Sequence, residues 1–154
     1  MVTRQIVDEF LAQKTLALAG ASRSGKKFGN VVLKELRTKG YRVLPVHPAA
    51  PELEGERAYP SLAALPERPG GLIVVLPPSE AERVVSEAAA AGITRVWLQQ
   101  GAESPAALAS CAEHGLTVVH GHCILMFAEP AVFYHRVHRF IAGLFRKLPA
   151  EVVT

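Results

Sequence analysis

Short apolar runs alternate along this chain with longer segments of helical periodicity, and this alternation limits the possible folds more than any other feature. The runs occupy residues 16–20, 41–46, 71–76, 94–99 and 116–120. The run at 71–76 is apolar throughout, which is typical of a strand buried on both faces. Strands that alternate with helices of about a dozen residues predict β-α-β units and a parallel sheet.

The segments between these runs carry helix signals. Residues 30–40, 79–92 and 104–115 each end on a glycine, where a helix C-cap is expected. Ser79 followed by Glu82 predicts a capping box at the start of the second of these helices. The proline-rich connection between residues 48 and 69 is predicted to hold at most one short helical turn.

The alternation predicts an α/β, Rossmann-like, doubly wound fold with a five-stranded, mainly parallel sheet and flanking helices. The usual ordering of such sheets gives the strand order 3-2-1-4-5. Ligands bind such a sheet at the carboxyl ends of the strands where the order reverses, here between strands 1 and 4. The candidate ligand loops therefore follow Gly20, Val46, Leu76, Leu98 and His120.

Chain length and composition indicate one globular domain. The 154 residues are the size of a single domain, with 49 % hydrophobic and 20 % charged residues. We expect one domain over residues 1–154, with a core at about 15–125 and an extra C-terminal helix at about 129–147. The net charge of +3 favours an anionic ligand but is too small to indicate nucleic acid.

The sequence predicts a cytoplasmic protein. The N-terminus carries Asp8 and Glu9 and no apolar core run, so no signal peptide is predicted. No stretch approaches the roughly 20 apolar residues of a membrane span. The two cysteines, Cys111 and Cys123, are then expected to be reduced thiols.

The first candidate loop, GASRSGKK at residues 20–27, resembles a P-loop except at its last position. A P-loop requires a Ser or Thr there to bind Mg²⁺, and an Asp on another strand. Lys27 occupies that position and would repel the cation, and the strand ends at 74–79 and 96–101 offer no carboxylate. The sequence therefore disfavours a P-loop nucleotide triphosphatase.

The loop also departs from the dinucleotide-binding pattern, which needs G-x-G-x-x-G after strand 1 and an acidic residue after strand 2. Residues 20–22 read Gly-Ala-Ser, and His47 and Pro48 stand where the acidic residue would be. A histidine suits a phosphate better than a ribose diol. NAD is therefore disfavoured, and a nucleotide with an additional phosphate is favoured.

Four residues near the reversal point favour an anionic ligand: Arg23, Lys26, Lys27 and His47. Each one alone is equally well explained as a solvated loop residue, since exposed Lys and Arg are common. Together, on the ligand side of the sheet, they are more informative.

Five segments resemble, in order, those of the small single-domain CoA-binding proteins. They are GASRSGKKFGN at 20–30, VLPVHP at 43–48, IVVLPPS at 73–79, VWLQQGAES at 96–104 and GHC at 121–123. These proteins are similar to the N-terminal CoA-binding domain of the succinyl-CoA synthetase α subunit and of ADP-forming acyl-CoA synthetases. The resemblance covers about residues 15–125 and implies a Rossmann-like fold that binds coenzyme A, with its ADP half at the reversal point.

The resemblance also assigns site residues. Those implied around the phosphates and the start of the first crossover helix are Gly20, Ala21, Ser22, Lys27 and Asn30. Those implied beside the adenosine ribose and its 3′-phosphate are His47 and Pro48, and Arg23 is a further candidate for that phosphate. The apolar wall against adenine or pantetheine consists of Leu76, Pro77 and Pro78. The pantetheine-side loop consists of Gln99, Gln100 and Gly101.

The function that we expect is non-catalytic binding of coenzyme A or an acyl-CoA, as a carrier, sensor or enzyme partner. The synthetases that this chain resembles use a phosphorylated histidine and a nucleotide-grasping region outside this domain. The sequence offers no nucleophile, base and orienting residue with credible joint geometry. Two alternatives remain: an enzyme that acts on a CoA thiol or thioester through Cys123 or a histidine, and a Rossmann-type regulator of another nucleotide.

Three further features have competing interpretations. His120, His122 and Cys123 resemble a metal cluster but lack a second ligand pair, so no metal is predicted. Cys123 follows strand 5, so it is either a thiol that coenzyme A caps as a mixed disulfide or a packed thiol. The amphipathic segment at residues 129–149 either covers the sheet or contacts a second copy or a partner enzyme.

Overall fold

The structure, a computed structural model, describes residues 2–128. The helices are α1 (Arg4–Leu11), α2 (Phe28–Thr38), α3 (Pro78–Ala90) and α4 (Pro105–Glu113). The strands are β1 (Thr15–Ala19), β2 (Arg42–Val46), β3 (Glu52–Leu53), β4 (Glu56–Arg57), β5 (Gly71–Val74), β6 (Arg95–Gln99) and β7 (Thr117–His122). Short 3₁₀ turns occur at Leu62–Ala64 and Ile124–Met126.

Five of these strands form a parallel sheet in the order β2-β1-β5-β6-β7. The α/β, Rossmann-like fold class is therefore confirmed, but the predicted strand order is wrong. The third long strand, β5, pairs with β1 instead of lying beyond β2. The order is thus 2-1-3-4-5 in the numbering of the predicted strands, and it reverses between β1 and β5.

Proline and burial explain this order. Pro45 lies within β2 and has no N–H to donate to a second neighbouring strand, so β2 is suited to a sheet edge. All four residues of β5 are buried, as a central strand between two helical layers requires. Both features were present in the sequence, and the predicted order would have placed Pro45 between two strands.

Two layers of helices cover the sheet, one on each face. Alternation along β1 sends Leu16 and Leu18 to one face and Ala17 and Ala19 to the other. The first face packs against α1 and α2, and the second packs against α3 and α4. Each face therefore has its own hydrophobic cluster.

The sequence analysis did not predict α1. An isolated helix of eight residues is marginal in water, so tertiary packing must stabilise it. Phe10 supplies that packing, because its ring meets Trp97 edge-on at 5.4 Å between centroids. Burying one such side chain contributes about 1.5–3 kcal/mol.

The predicted boundaries were partly wrong. The capping box at Ser79 does not form, because α3 begins at Pro78 with Pro77 as its N-cap. A proline fits there, since the first N–H of a helix has no partner within the helix. The connection between β2 and β5 holds the predicted short turn and also an unpredicted hairpin, β3–β4. The predicted C-terminal helix lies outside the described residues.

None of the helices within residues 2–128 has the length and the apolar character that a membrane span requires.

Two glycines bring the end of β1, the start of α2 and the segment after β5 together. A Cβ on Gly29 would overlap the carbonyl of Gly20 and would lie 2.8 Å from the Ala21 nitrogen. A Cβ on Gly20 would overlap the carbonyl of Val75, and Gly20 also has φ +130°. This close backbone approach sets the position of the loop that joins β1 to α2.

We predict that Gly29→Ala destabilises the protein by about 1–3 kcal/mol, the cost of overpacking a tight contact. Helix propensity alone predicts the opposite, a gain of about 1 kcal/mol. Urea denaturation checks the sign, with Val31→Ala on the exposed face of α2 as a control that should stay within about 0.5 kcal/mol. An unchanged or higher stability of Gly29→Ala would contradict the contact.

Candidate ligand-binding cleft

A cleft of about 320 Å³ lies at the carboxyl ends of β1, β2 and β5, where the strand order reverses. Eight of the predicted site residues line it: Gly20, Ala21, Ser22, Lys27, His47, Pro48, Leu76 and Pro77. Ten lining residues were not predicted: Ala19, Val46, Pro60, Ser61, Leu62, Val75, Glu80, Arg83, Val84 and Glu87. The other six predicted residues do not line the cleft: Arg23, Asn30, Pro78, Gln99, Gln100 and Gly101.

The loop at residues 20–27 is folded by its own hydrogen bonds. The Gly25 N–H donates to the Ser22 carbonyl at 3.3 Å, which closes a tight turn. The Ser24 hydroxyl lies 2.8 Å from the Ser22 hydroxyl and accepts from the Lys26 N–H at 3.2 Å. These hydrogen bonds fix the backbone conformation of the loop, and its basic side chains are exposed: Arg23, Lys26 and Lys27.

Asn30 holds this loop from beneath. Its Oδ1 accepts from the Ser22 N–H at 2.9 Å, and its Nδ2 donates to the Ser22 carbonyl at 2.9 Å. Nδ2 also donates to Glu54 Oε1 at 3.0 Å. Asn30 is fully buried with both amide hydrogens used, so its place is behind the loop rather than in the cleft.

The N-terminus of α2 presents free donors beside the loop. The N–H groups of Phe28 and Gly29 donate to no acceptor in the described part of the chain, and the N-cap residue Lys27 provides no side-chain cap. The Lys27 side chain lines the cleft. Unpaired N–H groups, the positive end of the helix dipole and a lysine together favour an anion.

His47 has a fixed ring orientation on the β2 side of the cleft. Its Nδ1 accepts from the Ala49 N–H at 3.0 Å and from the Ala50 N–H at 2.8 Å. Since a nitrogen that accepts carries no hydrogen, the neutral ring bears its hydrogen on Nε2. His47 therefore offers one N–H donor, which no acceptor among residues 2–128 uses.

The opposite wall combines an apolar surface with charges from α3. Leu76 and Pro77 line the cleft, whereas Pro78 lies in the first turn of α3. Arg83 and Glu87, which sequence reasoning missed, form an exposed ion pair at 2.6 Å. Their spacing of four residues on one helix face was the signal that would have grouped them.

The predicted pantetheine-side residues lie at the carboxyl end of β6 and in the turn that follows it. Gln99 is buried, and its Oε1 accepts from the Ile124 N–H at 3.1 Å, which anchors the turn after β7. Gln100 and Gly101 are exposed, and the Gly101 N–H donates to Glu103. Gln99 therefore has a structural contact that the sequence did not indicate.

Both cysteines are buried free thiols. Burial raises the pKa of Cys111 to about 11 and also raises the pKa of Cys123 above its usual range. Cys123 follows β7, two strands away from β5, and does not line the cleft. These observations favour a packed thiol over a reactive one.

The histidines of β7 do not form a metal centre in the described residues, where no group of three potential ligands converges. Burial and the neighbouring His120 lower the pKa of His122. The His122 carbonyl accepts from the Trp97 indole N–H at 3.0 Å, so this segment packs into the core.

Comparison with known proteins identifies relatives. Residues 14–129 match the CoA binding domain family. The alpha subunit of ADP-forming acetate–CoA ligase II from Pyrococcus furiosus is 30 % identical over 92 residues, which cover 59 % of this chain and 20 % of that subunit. The chain spans about a fifth or less of the length of the curated relatives it matches.

Solved structures of similar size share the fold. A conserved hypothetical protein from Pyrococcus furiosus is 39 % identical with a TM-score of 0.69, and the match covers 72 % of this chain and 96 % of that one. A protein from Thermus thermophilus is 35 % identical with a TM-score of 0.71, and the match covers 80 % and 93 % of the two chains.

We predict that CoA disulfide forms no adduct with Cys123 in the native protein, because a buried, protonated thiol does not attack a disulfide. Mass spectrometry of the native protein at neutral pH checks this, and the urea-unfolded protein, in which both cysteines should react, is the control. An adduct on the native chain that disappears in Cys123→Ser but persists in Cys111→Ser would contradict it.

Proposed function

Because this chain belongs to the CoA binding domain family, we propose that its cleft binds coenzyme A or an acyl-CoA without catalysing a reaction on it. The observation that carries the proposal is the meeting of three anion-binding elements at one cleft. Residues 20–22 of the loop and the Lys27 side chain line the cleft, and the free N–H groups of Phe28 and Gly29 follow Lys27 directly in the chain. Coenzyme A brings a pyrophosphate and a 3′-phosphate, which match these donors.

The pyrophosphate is assigned to the loop and the helix terminus. The missing Cβ of Gly20 lets the backbone approach close to the end of β5, and the unpaired N–H groups of Phe28 and Gly29 remain to donate. Asn30 contributes indirectly, because it is bonded to Ser22 on both its N–H and carbonyl sides.

The 3′-phosphate is assigned to the neighbourhood of Lys27, Arg23 and His47. His47 supports this assignment with a single N–H donor whose direction is set by the two hydrogen bonds to Nδ1. Pro48 adds an exposed apolar surface next to it.

The apolar wall of Leu76 and Pro77 is assigned to adenine or the upper pantetheine arm. These residues supply contact area with few donors, which suits a ring face or an alkyl chain better than a charged group. We propose that the arm then leaves the cleft towards Gln100 and Gly101, which are exposed at the end of β6.

A binding role without catalysis is consistent with the cleft's chemistry. Among the described residues, the hydroxyl groups that line it belong to Ser22 and Ser61, and Ser22 lies beside Ser24 and Asn30 instead of a base. We propose that the protein acts in the cytoplasm as a carrier, a sensor or a partner of an enzyme. A contact with that enzyme or a second copy would use residues 129–149, outside the described part of the chain.

We predict that coenzyme A binds at least about tenfold more tightly than dephospho-CoA, because a charge-assisted contact to the 3′-phosphate is worth roughly 1.5–3 kcal/mol. Isothermal titration with coenzyme A, acetyl-CoA, dephospho-CoA, NADH and ATP tests the proposal. Equal affinity for coenzyme A and dephospho-CoA would remove the 3′-phosphate assignment. NADH binding tighter than coenzyme A would replace the proposed function with a regulator of another nucleotide.

We predict that Lys27→Ala weakens binding of coenzyme A by about tenfold, since it removes the one lysine that lines the cleft among the described residues. Mg²⁺ should leave the affinity unchanged, because the loop offers Lys27 where a P-loop offers a hydroxyl. Lys14→Ala is the matched control, because Lys14 is exposed just before β1, at the amino ends of the strands and opposite the cleft. The same loss in both variants would indicate a general charge effect rather than a contact.

A further inference from the structure

The β3–β4 hairpin reaches the cleft loop through one carboxylate. Leu53 pairs with Glu56, so Glu54 and Gly55 form a two-residue turn between them. Both have positive φ, 49° for Glu54 and 77° for Gly55, as in a type I′ turn. Such turns favour Asn-Gly, and Glu54 is the one non-glycine residue with positive φ in the described chain.

Glu54 is held in this unfavourable conformation by contacts to one face of α2. Its Oε1 accepts from Asn30, its Oε2 lies 3.9 Å from the Lys34 amine, and its carbonyl accepts from Arg37 at 3.2 Å. Residues 30, 34 and 37 follow one another at helical spacing on that face. A strained residue that its surroundings fix in this way is characteristic of a functional constraint.

The contact with Asn30 completes a buried network. The side-chain amide of Asn30 bonds to the Ser22 backbone through its oxygen and one of its two hydrogens. The second amide hydrogen of Asn30 is left inside the protein. A buried donor without a partner is destabilising, and Glu54 Oε1 accepts that hydrogen at 3.0 Å. A carboxylate is an acceptor only and makes a stronger bond than a neutral oxygen. The hairpin thereby secures the rotamer of Asn30 that holds Ser22.

We propose that Glu54 is a positioning residue for the anion-binding loop, an inference that rests on the proposed binding of coenzyme A. Glu54 does not line the cleft. It fixes Asn30, Asn30 fixes the backbone of Ser22 on both sides, and Ser22 fixes the turn that ends at Gly25. Loss of the carboxylate loosens the loop before any ligand binds, and the ligand must then order it.

Substitutions at position 54 separate this role from hairpin stability. Asparagine suits positive φ in a type I′ turn, so Glu54→Asn keeps or improves the turn. Its side chain is one methylene shorter and no longer reaches Asn30 as the glutamate does. Glu54→Gln keeps the length and an acceptor oxygen but removes the charge. Glu52→Asn, on the exposed side of the same hairpin, is the matched control.

Three measurements are made on each full-length variant: the Kd for coenzyme A by calorimetry, the melting temperature, and amide hydrogen exchange of Ser22 without ligand. We expect Glu54→Asn to bind coenzyme A about three- to tenfold more weakly, the effect of one hydrogen bond, and to exchange the Ser22 amide faster. Its melting temperature should stay close to that of Glu52→Asn, because the preference of asparagine for positive φ offsets the hydrogen that is left unpaired on Asn30. Glu54→Gln should bind coenzyme A with an affinity within about twofold of that of the wild type.

Wild-type affinity and wild-type exchange at Ser22 in Glu54→Asn would overturn the inference. An equal loss of affinity in Glu52→Asn would overturn it too. So would losses of affinity in Glu54→Asn and Glu54→Gln that both parallel a fall in melting temperature. Failure of the wild type to bind coenzyme A would overturn the proposed function by itself. Exchange at Ser22 would still decide the role of Glu54, because it is measured without ligand.

Discussion

The close approach of three backbone segments at Gly20 and Gly29 is the constraint on which the cleft depends. Side chains at these positions would overlap the carbonyls of Val75 and Gly20, so the end of β1, the start of α2 and the segment after β5 lie together only because both residues are glycine. This contact holds the start of α2 beside the end of β1, and the N-cap residue Lys27 lines the cleft where the sheet order reverses. The anion binding that we propose for the cleft depends on that backbone geometry, and Lys27 adds charge to it.

Behind the cleft, polar side chains set the loop in place. Asn30 is buried, and each of its amide hydrogens has a protein acceptor. A saturated buried amide is rigid, because each alternative rotamer leaves a donor or an acceptor unpaired. The loop is thus supported by residues that do not line the cleft, and one of these supports comes from a hairpin 24 residues away along the chain.

Particular elements show how far sequence reasoning reached. The strand runs and the loop at residues 20–27 were identified from the sequence because the pattern of apolar residues and the spacing of glycines are local signals. The strand order was also readable, since Pro45 marks an edge strand and residues 71–74 mark a central one, but the customary ordering was applied in their place. The start of α3 was missed because Pro77 and Pro78 begin that helix without a side-chain cap.

The sequence by itself determined the α/β class, the side of the sheet that carries the ligand loops, and eight of the residues that line the cleft. The class and the side of the sheet follow from periodicity and from the rule that loops after parallel strands lie at the same end of the sheet, whereas the eight residues were implied by the resemblance to the CoA-binding proteins. Tertiary structure alone decided that Asn30 and Gln99 are supports, that Cys123 is packed, and that Arg83 and Glu87 reach the cleft. The reason is physical: the role of a polar side chain depends on which partners lie within about 3 Å, and those partners come from distant parts of the chain.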